Sequence, residues 1–255
     1  MLQVNQLVGF GGDSGRLVPV VKSYDDQTHT DPPGASAREY TFTGQDLGSS
    51  GTKKVVVLVA FQTGASSGSV TLDDVLIDPG SGFVSLTKII GVLSQTWTYR
   101  ADIWTIETIT AATGDVKLEF SANAELDIWV YSLVGAASAA YDTASDTQVD
   151  SAASGIMSAS LNIPAGGAAI GLSTHSTGGV LGDTTTVWTG LTKDSDVPTN
   201  VDSGYPGAGI HVECSSASTI SATAQTGLTI SSDNNSGNIN DPGGCNLALA
   251  SWAPA

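Results

Sequence analysis

Residues 53–62 read KKVVVLVAFQ, with an unbroken apolar run from Val55 to Phe61. A short run of this kind, dominated by valine, predicts a strand covered on both faces and therefore central in its sheet. Weaker versions of the theme follow. REYTFTG (38–44), SVTLDDVLID (69–78, bent at Asp73-Asp74), FVSLTKIIGVLS (83–94), TWTYRADIWTIETI (96–109), DVKLEFS (115–121) and LDIWVYSLVG (126–135) are rich in β-branched and aromatic residues. Turn residues recur roughly every eight to twelve positions, and no sustained i, i+3, i+4, i+7 apolar pattern with caps is present.

The second half carries ASLNIP (159–164), GAAIGLSTH (167–175), TTTVWTGL (184–191), GAGIHVECS (207–215), STISATAQ (218–225) and CNLALASW (245–252). These segments are too weak to fold alone, so the small-residue stretch 136–155 reads as a crossover loop and not as a linker. The expected fold is all-β: a single large antiparallel β-sandwich, jelly-roll-like, of about a dozen strands over residues 37–255. Residues 1–36 read as an extended N-terminal arm with one short strand at 16–22, at an edge because Pro19 removes a ladder donor. The apolar segment CNLALASW predicts a buried strand without which the domain unfolds.

Charge narrows the function. The chain has 9 basic and 25 acidic residues, a net charge of −16. Residues 1–117 hold 12 acids and 8 bases, whereas residues 118–255 hold 13 acids and one base, Lys193. Nucleic-acid binding needs clustered Lys and Arg, so that class is excluded. MLQVNQLVGFGG lacks the basic and apolar regions of a signal peptide, and no apolar run reaches the roughly 20 residues that span a bilayer. Synthesis in a cytoplasm without secretion, and no membrane insertion, are the expectations.

Several short patterns suggest chemistry. Gly12-Asp13-Ser14-Gly15 spells the nucleophile motif of trypsin-like proteases, but their histidine and aspartate precede the serine, and only a short arm precedes Ser14. The same glycines lack the strand, helix and lysine of a phosphate loop. Cys214 and Cys245 match no zinc spacing; a disulfide and two buried thiols both remain open. His29, His175 and His211 are scattered, and alternation puts His211 and Glu213 on one strand face. The segments 193–204 and 231–244 are rich in Asp and Asn. They miss the EF-hand template, yet calcium is the one ion such loops leave open, against ordinary turns. Glu107, Glu119, Glu125 and Asp127 offer no recognisable glycosidase pair. Trp104, Trp129 and Trp252 read as core, and Trp188 is the best candidate for stacking on a sugar. No catalytic residue, resident cofactor or metal ligand is assigned, and the chain is not expected to be an enzyme.

The order YTFTGQDLGSSGTKKVVVLVAF, SVTLDDVLID, ADIWTIETIT, LDIWVYSLVG, IPAGGAAIGLSTHS, TVWTGLT and LALASW resembles β-sandwich virion proteins of tailed bacteriophages and related gene-transfer particles. The lead VNQLVGFGGDSG is similar to the segment that precedes such domains. The resemblance runs from Val4 to Trp252 and carries no catalytic signature. It implies a surface-exposed structural subunit, a capsid decoration or head-fibre protein that contacts other virion proteins as a homo-oligomer or symmetric array. Leu2, Val4, Leu7, Val8 and Phe10 of the arm are the expected docking anchors, with Gly11, Gly12 and Gly15 as their hinge. The alternative is a tail-fibre module binding a host surface glycan through Trp188; a carbohydrate-active enzyme is the third class.

Overall fold

The computed structural model describes residues 20–27, 38–49, 51–62, 70–93, 99–122, 124, 126–148, 156–178, 185–201, 210–233 and 245–255. Within them the chain is all-β. In order the strands are β1 (Val20–Gln27), β2 (Glu39–Asp46), β3 (Lys53–Gln62), β4 (Leu72–Asp78), β5 (Val84–Ser85), β6 (Thr87–Leu93), β7 (Tyr99–Ile109), β8 (Thr113–Phe120) and β9 (Leu126–Leu133). They continue as β10 (Asp142–Gln148), β11 (Ile156–Ile163), β12 (Ala168–Gly178), β13 (Val187–Thr189), β14 (Thr192–Val201), β15 (Ile210–Ile220), β16 (Gln225–Asp233) and β17 (Cys245–Trp252).

The antiparallel sandwich expected from the sequence is present, and its layers are doubled. Four sheets form, with orders β2-β8-β4-β5, β1-β9-β3-β7-β6, β10-β17-β12-β15-β14 and β11-β16-β13. The first two face each other across a core that includes Phe42, Val57, Val75, Leu118 and Ile128. The last two enclose Met157, Leu161, Ile230, Leu247 and Leu249. A third core joins the two inner sheets through Val56, Leu58, Trp129, Tyr131, Ile170, Leu172 and Trp252. The molecule is therefore four layers thick: outer, inner, inner, outer.

Each half follows one path. On the inner sheets the first strand pairs with the last, the last with the third, and the third with the sixth: β1-β9-β3-β7 and β10-β17-β12-β15. On the outer sheets the second strand pairs with the seventh and the seventh with the fourth: β2-β8-β4 and β11-β16-β13. This is a jelly-roll-like order, written twice, with β6 and β14 added at the far edges of the inner sheets. β5 has no counterpart in the second half. It pairs with β4 on the outer sheet, and after Leu86 the chain passes to the inner sheet as β6. The single segment expected at 83–94 thus serves two sheets.

The valine run explains why the layers stack. Alternate residues of β3 point to opposite faces. Val55, Val57, Val59 and Phe61 enter the first sandwich's core, and Val56, Leu58 and Ala60 enter the seam between sandwiches. A strand with one wet face would not need both sets. Burying each such side chain fully contributes about 1.5–3 kcal/mol. On the other side of the seam, β17 is buried at every position. Small residues line much of this contact: Ala60, Ala101, Ala168, Ala248 and Ala250. Cα atoms of β17 and β7 accordingly approach within 8 Å, closer than the ~10 Å usual for stacked sheets.

Local differences from the sequence reading have local causes. The stretch 136–155 does cross between halves, but it also contributes β10, paired with β17 from Asp142 to Gln148. Its serines, threonines and aspartates suit an edge strand. Segment 193–204, expected as a loop, is mostly β14, also an edge. Pro198 is tolerated there, and a bulge interrupts the register between Lys193 and Ser195. SVTLDDVLID carries one strand from Leu72 onward, its irregularity taken up as a register shift opposite Phe120 and Glu119. The strand expected at 16–22 is described from Val20 onward as β1, which runs to Gln27 at the edge of an inner sheet; residues 16–19 lie outside the described residues.

Candidate functional site

The densest unexplained chemistry lies inside the second sandwich. On β12 the residues Ala169, Gly171, Ser173 and His175 share the face turned to the outer sheet. β15 adds Glu213, Ser215 and Ala217 to the same face, and register sets His175 directly opposite Glu213. Both are buried. The core begins apolar at Leu161, Ile163 and Leu249 and becomes polar toward this end.

The polar groups are tied into the fold. His175 Nε2 lies 2.8 Å from Ser232 Oγ on β16, linking the two sheets. Burial pushes the imidazole down to about 3, so it is neutral at ordinary pH. Glu213 Oε1 accepts both the backbone N–H of Thr186 and, at 2.7 Å, its hydroxyl. That fixes the lead into β13 against β15. One register step along, Ser215 Oγ accepts from Trp188 Nε1 at 2.9 Å and donates to the Ser195 carbonyl at 2.9 Å.

A serine hydroxyl on an imidazole nitrogen is the pairing that activates nucleophiles. Here both partners are fully buried. An attacking oxygen must reach substrate, and this one is enclosed between sheets. The cluster does the work of a buried hydrogen-bond network: it fixes register between layers at the polar end of a small core.

The sequence candidates distribute as follows. Trp188 is half-buried. Its ring lies over Gly171, where an added Cβ would sit 3.0 Å from the indole. Part of the ring is thus engaged by the core. Trp104, Trp129 and Trp252 are buried, as expected. Glu107 pairs with Lys54, and Glu119 with Lys117 at 2.6 Å. Asp127 is buried on β9. The backbone of His211 takes its place on β15 opposite Thr177. Cys214 and Cys245 are buried on opposite faces of one sheet, with β12 between their strands. Two strand spacings of about 4.8 Å exceed disulfide reach.

Ser14, His29, Glu125 and the anchors Leu2, Val4, Leu7, Val8 and Phe10 lie outside the described residues, as do 202–204 and 234–244 of the two Asp/Asn segments. Among the described residues no three His, Cys, Asp or Glu side chains gather as metal ligands would.

Two further polar groups were not read from the sequence. Asp102 is buried between Lys88 and Arg100, with its Oδ1 2.8 Å from Arg100 Nε, and the Lys88 ammonium lies 5.2 Å from the Trp104 ring centroid. Tyr131 donates to Asp194 Oδ2 at 3.0 Å, tying β9 to β14 across the seam. Desolvation raises the pKa of both partners. Arg100 and Asp102 are two residues apart, but nothing local marks the aspartate as buried. The Tyr131–Asp194 pairing has no signal in sequence, because its partners are 63 positions apart. The His175–Ser232 link has the same character. Its faint signal is that GAAIGLSTH stays buried through the histidine.

No protein-family model matches the chain, and neither a curated protein nor a solved structure is significantly similar to it.

Proposed function

We propose that this chain is a structural subunit exposed on the surface of a tailed-phage virion or related gene-transfer particle, of the capsid-decoration or head-fibre type. One observation carries the reading: the chain builds a four-layer block from two jelly-roll sandwiches and commits its best-placed reactive groups to holding that block together. His175, Ser232 and Glu213 bridge strands and sheets from buried positions. Such a block is suited to bearing load and presenting surface. The net charge of −16 keeps copies soluble and mutually repelling until a specific contact forms.

In this reading the subunit is made without export and released with the particle. Its partners are other virion proteins, reached through the arm at residues 1–36, and its copies form a symmetric array. The test is mass spectrometry of purified particles, followed by labelling intact particles with an antibody to the folded chain. Stoichiometric recovery and surface labelling are expected. Absence from purified particles overturns the reading. Specific hits on a glycan array, lost in Trp188→Ala, would favour the glycan-binding alternative.

A further inference from the structure

One pole of the molecule carries apolar surface. There β9 ends, β10 begins and β17 ends. The strap 134–141 joins the two sandwiches along the chain, and backbone bonds fasten it to residues 251–255. Ala137 N–H donates to the Ala253 carbonyl at 2.9 Å, Tyr141 N–H to Ser251 at 2.7 Å, and Ala255 N–H to Gly135 at 2.7 Å. The fixed strap holds Val134 at 60 % exposure and Tyr141 at 57 %, among the most exposed large apolar side chains of the described residues. Alanines fill the strap between them, and Ala136 bridges to Pro254.

The sheet edge beside this strap is β1. Its first residue, Val20, pairs with Ser132, and Val21 pairs with Tyr131. Ser132 is two positions before Val134, so the first described residue of β1 lies beside the start of the strap. Residues 1–19 lie outside the described residues, but their sequence is suited to the strap. MLQVNQLVGF has no charged side chain and carries five large apolar ones at Leu2, Val4, Leu7, Val8 and Phe10, and the only charged side chains before β1 are Asp13 and Arg16. In a chain of net −16, that is the segment least repelled by the rest of the molecule.

We propose that the apolar stretch Leu2–Phe10 packs on the Val134–Tyr141 strap of its own chain. Residues 11–19 form the tether. Nine residues span up to about 30 Å, and their glycines let the chain reverse. A tether this short gives an effective concentration on the order of millimolar. At micromolar protein the arm's own strap is thus favoured over the strap of a second copy. The inference does not depend on the virion reading; it concerns the free chain.

Hydroxyl-radical footprinting of the full chain tests it. Tyr141 is compared with Phe83, exposed on the other sandwich, and with Tyr131, which is buried. The variant Leu7→Asp/Val8→Asp/Phe10→Asp should oxidise Tyr141 several-fold faster, with Phe83 and Tyr131 unchanged. An unchanged melting temperature shows that the cores are intact, and deletion of residues 1–14 should reproduce the effect. Equal oxidation of Tyr141 in all three proteins overturns the proposal. So does protection that fades on dilution, which would assign the cover to a second copy.

Discussion

Single residues show what the fold tolerates and what it costs. Thr108, exposed at the end of β7, has φ 67°. A β-branched side chain is strained in that left-handed region, and Thr108 falls within the register shift between β3 and β7. Thr108→Gly removes the strain without opening the core. It should raise stability by about 1 kcal/mol in urea unfolding, the balance between relieved strain and added chain entropy. His175 is the opposite case, a residue whose cost depends on pH. Its folded-state pKa is about 3, below the ordinary value of 6.5. The unfolded chain therefore binds a proton between those values that the folded chain refuses. Stability should fall as pH drops through 6.5, by up to about 1.4 kcal/mol per unit. Between pH 6.5 and 5 most carboxylates stay ionised, so the comparison with a His175 variant reads the contribution of this residue. His175→Gln should flatten the slope there while keeping a partner for Ser232, and an unaltered slope would assign the acid sensitivity elsewhere.

At the level of elements, the lesson lies in what periodicity can report. The run Val55–Phe61 announced a strand covered on both faces, and β3 is one. The closing CNLALASW announced a buried strand, and β17 pairs with β12 on one side and β10 on the other. Both signals are local, and both were legible. Edge strands were not. β10 and β14 present Ser, Thr, Asp and Pro, the vocabulary of loops, because one side of each ladder has no partner to satisfy. The polar cluster was equally hidden. Alternation tells which face His175 takes, but not that Ser232, 57 positions away, stands opposite. The seam is also an element-level feature. Its alanines read as low-information sequence, yet they set the spacing between layers. Ala250→Leu would insert bulk where β17 lies over β6 and β7, at a cost of about 1–3 kcal/mol. A melting curve unchanged by this variant would mean that the seam has slack.

At the scale of the molecule, two sandwiches of the same connectivity share one largely apolar contact. Each inner sheet is buried on both sides, so neither half is complete alone, and the halves should unfold together. The sequence hid the duplication. The repeated feature is an order of pairing, while the outer sheets differ in size and β5 occurs once. Removal of residues 245–255 takes β17 out of an inner sheet at once, opening both the second core and the seam. A 1–244 chain should therefore show no cooperative melt, and a sharp transition near that of the full chain would contradict the shared-core account.

If this four-layer block is, as proposed, a surface component of a phage-type particle, electron cryomicroscopy of intact particles should show density outside the shell into which the block fits as one rigid body, all four layers resolved and arranged with the symmetry of its support. Particles that lack such density, from a preparation whose producing cells contain the folded protein, would contradict that proposal.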